Sequence, residues 1–103
     1  MTENKPRRKL ATILAADVVN FSIMMGADED RTLINLKPCR ALTDESITAN
    51  SRRVFGSAGD SIIAEFVSPV DAEVAATEFQ RNLRLRNEGI AEKDRMLLSS
   101  SEI

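Results

Sequence analysis

The sequence has no histidine, no tryptophan, no tyrosine and a single cysteine. Without histidine no Ser-His-Asp or Cys-His arrangement can form, which removes the commonest nucleophilic hydrolase mechanisms. Cys39 cannot close an internal disulfide, and zinc or iron–sulfur sites of the usual ligand types lack their donors. Any metal must therefore be held by oxygen. Four phenylalanines are the only aromatic residues, too few to suggest a base-stacking platform for RNA. Long apolar runs are missing as well. The longest, Leu10 to Ala16, falls far short of the roughly 20 residues that cross a bilayer. Lys5, Arg7, Arg8 and Lys9 precede it, but it ends too soon at Asp17 for a secretory signal. The expectation is a cytoplasmic chain with no membrane contact.

What remains is the profile of one small folded domain: 103 residues, 43% hydrophobic, formal net charge -2. The basic cluster in residues 1–9 reads as a flexible, solvated tail rather than a nucleic-acid contact. Leu10 to Ala16 suits a strand covered on both faces. Asp28, Glu29 and Asp30 then enrich a first helical turn, and Leu33, Leu36, Ala41 or Arg40, and Ile47 recur at helical spacing up to Asn50. Pro38 inside that pattern leaves one long helix, at a cost of about 3 kcal/mol or a kink, or two helices broken near it, because proline removes a donor and clashes with the preceding turn.

Arg53-Val54-Phe55 and Ser61 to Phe66 read as the arms of a β-hairpin around Gly56-Ser57-Ala58-Gly59-Asp60. Ser68-Pro69-Val70-Asp71 is a strong helix start, with Ser68 as cap and Pro69 at the first helical position. The spacing predicts a helix from Pro69 to about Asn87, ended by Gly89, with Ala72, Ala75 or Ala76, Phe79 and Leu83 inward. After Ile90 only Met96-Leu97-Leu98 suggests a strand, and residues 99–103 read as a frayed end. The order predicts an α+β, ferredoxin-like sandwich over residues 10–98, incomplete at its last strand.

Two carboxylates stand out in that order. Asp17 ends an apolar strand, and Asp60 sits at a hairpin tip. Each alone has an ordinary structural use, Asp17 as a helix cap and Asp60 as a turn residue. Side by side they would form a site for hard divalent cations, since clustered carboxylates repel one another unless a cation neutralises them.

Three stretches resemble the first half of the class III adenylate and guanylate cyclase catalytic domain in its bacterial form. Leu14-Ala15-Ala16-Asp17-Val18-Val19-Asn20-Phe21-Ser22 looks like the family's first strand and phosphate turn. Ala58 to Phe66 looks like its metal hairpin, and Ser68 through Gln80 like the helix that follows. The resemblance implies that Asp17, Asp60 and the Val18 carbonyl hold two Mg or Mn ions, and that Val19, Asn20, Phe21 and Ser22, with Ala58 and Gly59 beside them, bind the phosphates of ATP or GTP. It implies cyclisation of a purine nucleoside triphosphate in intracellular signalling, and a homodimer or a heterodimer with other cyclase-like chains.

This sequence also departs from the family. Gly56 stands where many adenylate cyclases place a base-selecting lysine, which leaves the nucleotide open. The remaining base-selecting acid, the transition-state arginine and the ribose-orienting asparagine belong to a second half without counterpart in these residues. Loss of one such transition-state donor costs about 100-fold to 1,000-fold in rate. Two expectations follow: a cyclase inactive alone, or a non-catalytic module that binds metal-nucleotide weakly and pairs with other cyclase chains. A diguanylate-cyclase-like relative fits less well, because Gly59-Asp60-Ser61 lacks the glycine-rich acidic hairpin. Poor pairing by the last strand would also leave Leu10 to Ala16 as an open apolar edge, and so a marginal or oligomer-dependent fold.

Overall fold

The computed structural model describes residues 11–103, apart from the side chains of residues 57 and 58. The basic tail assigned to residues 1–9 lies outside the described residues. Eight elements follow one another: β1 (Thr12–Val18), α1 (Phe21–Ala27), α2 (Glu29–Asn50), β2 (Arg53–Ala58), β3 (Ser61–Phe66), α3 (Pro69–Glu88), a 3-10 turn (Glu92–Asp94) and β4 (Leu98–Glu102). The four strands form one antiparallel sheet in the order β2-β3-β1-β4. This is the split βαβ arrangement of a ferredoxin-like α+β sandwich.

Strand alternation decides which face is covered. Leu14, Ala16 and Val18 of β1 and Ile62, Ala64 and Phe66 of β3 are buried, and they pack with Ala72, Ala75, Phe79 and Leu83 of α3 and Leu36, Cys39 and Ile47 of α2 in one core. The helices thus lie on one face. The other face of β1 is not sealed, contrary to the two-sided burial expected for this run: Ala15 is half-buried and Asp17 exposed.

α3 forms as its sequence dictates. Ser68 accepts a hydrogen bond from the Asp71 amide at 3.2 Å, Pro69 occupies the first turn, and every fourth or third residue from Ala72 to Leu83 is buried. α2 begins likewise, with the Asp28 side chain accepting from the Arg31 amide at 3.0 Å. Its inner face is mixed rather than apolar, since Thr32, Thr43 and Ser46 are buried there and Leu33 is not. Thr32 and Thr43 satisfy their hydroxyls by donating to the Met24 and Cys39 carbonyls, both at 2.8 Å. Burial pushes the Cys39 thiol above its ordinary value, which suits packing and not reactivity.

Of the two alternatives at Pro38 the single long helix holds, since α2 runs unbroken through it. The carbonyl that loses its partner belongs to Ile34, and both residues are exposed, which leaves that carbonyl open to solvent. One expectation fails here. The polar residues 99–102 are not frayed but form β4, paired to β1 from Leu14↔Glu102 to Val18↔Leu98. β1 is therefore an interior strand, and the open apolar edge inferred for it does not exist.

The turn before β4 is fastened at two places. Arg31 donates from Nε and Nη2 to the two carboxylate oxygens of Asp94, at 2.6 and 2.5 Å. The buried Asn87 amide donates to the Met96 carbonyl at 2.9 Å and accepts from the Met96 amide at 3.4 Å. The hydrogen-bonded Arg31 guanidinium holds the Asp94 carboxyl below the usual carboxylate range. A depressed value means that the pair's stabilisation is fully present above about pH 4, the unfolded value, and fades as pH falls through the lower folded value. We expect urea midpoints measured from pH 7 to pH 2 to drop more steeply at the acid end than those of Asp94→Asn. Phe79→Ala, which empties the fully buried centre of the core, should cost about 3–5 kcal/mol in the same titration at neutral pH.

Candidate functional site

The site is assembled by the sheet. β1 pairs with β3 through Ala16↔Ile62, so continuing that register carries Asp17 and Val18 past Ser61 to the tip of the β2–β3 hairpin. Two residues, Gly59 and Asp60, make that turn between the paired Ala58 and Ser61. Gly59 has φ +60° and Asp60 does not share a positive φ, the pattern of a II′ turn whose first central position favours glycine. A side chain at Gly59 would meet no neighbour within 4 Å, so the constraint is backbone conformation rather than space.

The Asp60 carboxylate turns away from its own hairpin. Its Oδ2 accepts from the Val18 backbone amide at 2.9 Å, a contact spanning 42 residues of sequence. Asp60 is half-buried and acts as a bridge between hairpin and strand, which answers the reading of it as a turn residue only. Asp17 is exposed on the open sheet face and does not cap α1; the cap position is Asn20, whose side chain makes no capping bond. Asp17 thus stands at the end of β1, and Asp60 bonds the backbone amide of the next residue, Val18.

The predicted phosphate turn follows directly. Val18 is buried, Val19 and Asn20 are exposed, Phe21 packs against the core and Ser22 is exposed. Asn20 sits in the left-handed region at φ 60°, where asparagine is tolerated better than most residues. The first intrahelical bond of α1 runs from the Met24 amide to the Asn20 carbonyl at 3.0 Å. The amides of Phe21, Ser22 and Ile23 therefore lack intrahelical acceptors. Gly59 and the backbone of Ala58 lie at the neighbouring hairpin end.

A hollow of about 190 Å³ on the open face is lined by Ala15, Asp17, Ser61, Ile63, Ser99 and Ser101. Larger grooves, about 570 Å³ beside α3 and about 670 Å³ along α2, contain neither Asp17 nor Asp60. The small one is lined by Asp17 but not by Asp60. Among the described residues no three or more His, Cys, Asp or Glu side chains gather as a ready cation cage. The donor set here is two carboxylates and main-chain oxygen, which suits a hard cation that keeps water or ligand oxygens in its shell.

Sequence reasoning missed Arg40. It appeared only as an alternative to Ala41 on an apolar stripe, yet its Nη1 donates to the Gly59 carbonyl at 3.0 Å. Asp44, four residues later, was the one local signal, since i,i+4 pairs share a helix face. Ser99 and Ser101 were missed because their strand was.

No protein-family model matches the chain. It is 31% identical over 99 residues to a protein of Rhizobium meliloti (strain 1021) named "Putative adenylate cyclase 3", covering 95% of this chain and 17% of that protein. The adenylate/guanylate cyclase/hydrolase from Silicibacter pomeroyi superposes with a TM-score of 0.79 at 29% identity, over 93% of this chain and 56% of that one. The dimeric guanylyl cyclase domain of the RhoGC fusion protein from Blastocladiella emersonii shares the fold, with a TM-score of 0.62 at 13% identity over 89% of this chain and 55% of that one. Sequence and fold together place the chain with part of the class III adenylate/guanylate cyclase-like domain. It spans about half the length of these solved cyclase chains and less than a fifth of the Rhizobium protein.

Proposed function

We propose that this domain supplies the metal- and phosphate-binding part of a class III nucleotidyl cyclase site acting on ATP or GTP. The observation that carries the reading is the Asp60–Val18 hydrogen bond, which brings the hairpin acid to the strand end that bears Asp17. Asp17, Asp60 and the Val18 carbonyl would hold two Mg or Mn ions, and their all-oxygen chemistry fits those ions. When bound, such ions lower the pKa of an attacking hydroxyl and neutralise charge on entering and leaving oxygens. The chain's own contribution is to orient: unpaired amides at Phe21, Ser22 and Ile23, with Val19, Asn20 and Gly59 alongside, present donors to a triphosphate.

Turnover requires groups that stabilise the transition state, and among the described residues no cation lines the hollow beside Asp17. We therefore read the 103-residue chain as silent by itself, whether alone or as a homodimer of two copies lacking the same groups, and completed only in a heterodimer with a cyclase-like chain that carries them. The open sheet face, with Asp17, Ile63 and Phe55 exposed, is the surface on which a second chain would complete the site. Among the described residues no helix is long and apolar enough to cross a membrane. A cytoplasmic role in cyclic-nucleotide signalling is in keeping with that.

Calorimetric titration with Mn²⁺ tests the metal reading. Asp17→Ala and Asp60→Asn should each weaken affinity by at least the roughly 10-fold to 100-fold that loss of a supporting partner costs. Asp60→Asn keeps an acceptor for the Val18 amide, so a folding defect is not the expected cause. Incubation of the parent chain with ATP or GTP and Mn²⁺ should give no cyclic product alone. Vigorous cyclisation by the isolated chain would refute the silent reading, and unchanged Mn²⁺ binding in both variants would refute the site.

A further inference from the structure

We propose that Arg40 is a positioning residue that fixes the hairpin tip and thereby aims the Asp60 carboxylate; its bearing on metal binding rests on the function proposed above. The Gly59 carbonyl lies at the turn, outside the strand ladder, and belongs to the peptide unit that leads into Asp60. Arg40 reaches it from α2, with Nη1 donating at 3.0 Å. The guanidinium has a charge partner on its own helix: Nε lies 3.5 Å from Oδ1 of Asp44, an ion pair without a hydrogen bond, and the Arg40 side chain is 19% exposed. The bond to Gly59 is exposed, but a charged, planar guanidinium gives it more strength and direction than a lysine amine would.

The consequence follows through covalent geometry. Pinning the Gly59 carbonyl fixes the plane of the Gly59–Asp60 peptide. That plane sets the direction in which the Asp60 side chain leaves the backbone, and its Oδ2 then meets the Val18 amide at 2.9 Å. The series Asp44, Arg40, Gly59, Asp60, Val18 links the middle of α2 to the end of β1. Arg40 and Asp44 act on the site only through Gly59 and Asp60.

The Val18 amide provides a readout that does not depend on metal, because its acceptor is the Asp60 carboxylate. In amide hydrogen exchange followed by NMR on the full chain, Arg40→Met should lower protection at Val18 roughly tenfold, as loss of an ordinary hydrogen bond would. Protection at Phe79 in α3 should not change. Arg40→Lys should recover part of the loss, and Asp44→Asn should give a smaller loss of the same kind. If Arg40→Met does not fold, these two milder variants carry the comparison. Unchanged Val18 protection in the folded variants, or an equal fall at Phe79, would overturn the proposal. Mn²⁺ affinity measured on the same samples should fall with Val18 protection. A Val18 response in a parent chain that binds no Mn²⁺ would uphold the positioning role and remove the metal reading alone.

Discussion

β1 is hydrogen-bonded along both edges, to β3 from Thr12 to Ala16 and to β4 from Leu14 to Val18, and its Leu14, Ala16 and Val18 side chains are locked into the core. A strand held on both sides and from below has almost no freedom to shift, because a slip of one residue would turn Leu14, Ala16 and Val18 out to solvent. The same alternation that buries those three places Asp17 on the uncovered face. The position of one carboxylate is thus a by-product of core formation. The second is brought to it by a turn whose two residues leave little choice of path.

The core and the site draw on different kinds of interaction. α3 and the sheet are joined by apolar burial around Phe66 and Phe79, which is strong and without direction. The turn before β4 and the hairpin tip are instead held by directed polar contacts: Arg31 with Asp94, Asn87 with Met96, Arg40 with Gly59, Asp60 with Val18. Apolar packing sets where elements lie to within a rotamer. Directed bonds set where a particular oxygen points, which is what a ligand-binding carboxylate requires.

Much of this was legible from the residues. The Ser68-Pro69 helix start, the glycine-bearing reversal ending in Asp60 and the ferredoxin-like order all emerge from local chemistry, because caps and tight turns are decided within four residues. β4 was not legible. Ser99, Ser100 and Ser101 have no strand signature of their own, and they become a strand because β1 offers an unpaired edge at that point. Pro38 left one helix or two open for the opposite reason: its cost is real in isolation, but it falls on the solvent side of a helix anchored at many other positions. The Arg31–Asp94 and Arg40–Gly59 contacts join residues separated by 63 and 19 positions, which no local pattern encodes.

The irregularity in β2 has its own implication. Val54 pairs with Ala64 and Gly56 with Ile63, so Phe55 is an extra residue in the outer strand, and the arms of the hairpin differ in length by that one residue. Side-chain identity in β2 is loosely held, since Arg53 to Gly56 are exposed. Residue count is not: adding or removing a single position between the bulge and the tip would rotate the terminal acid by half a pleat, onto the helical side of the sheet. In this segment variation in kind is cheap and variation in length is forbidden.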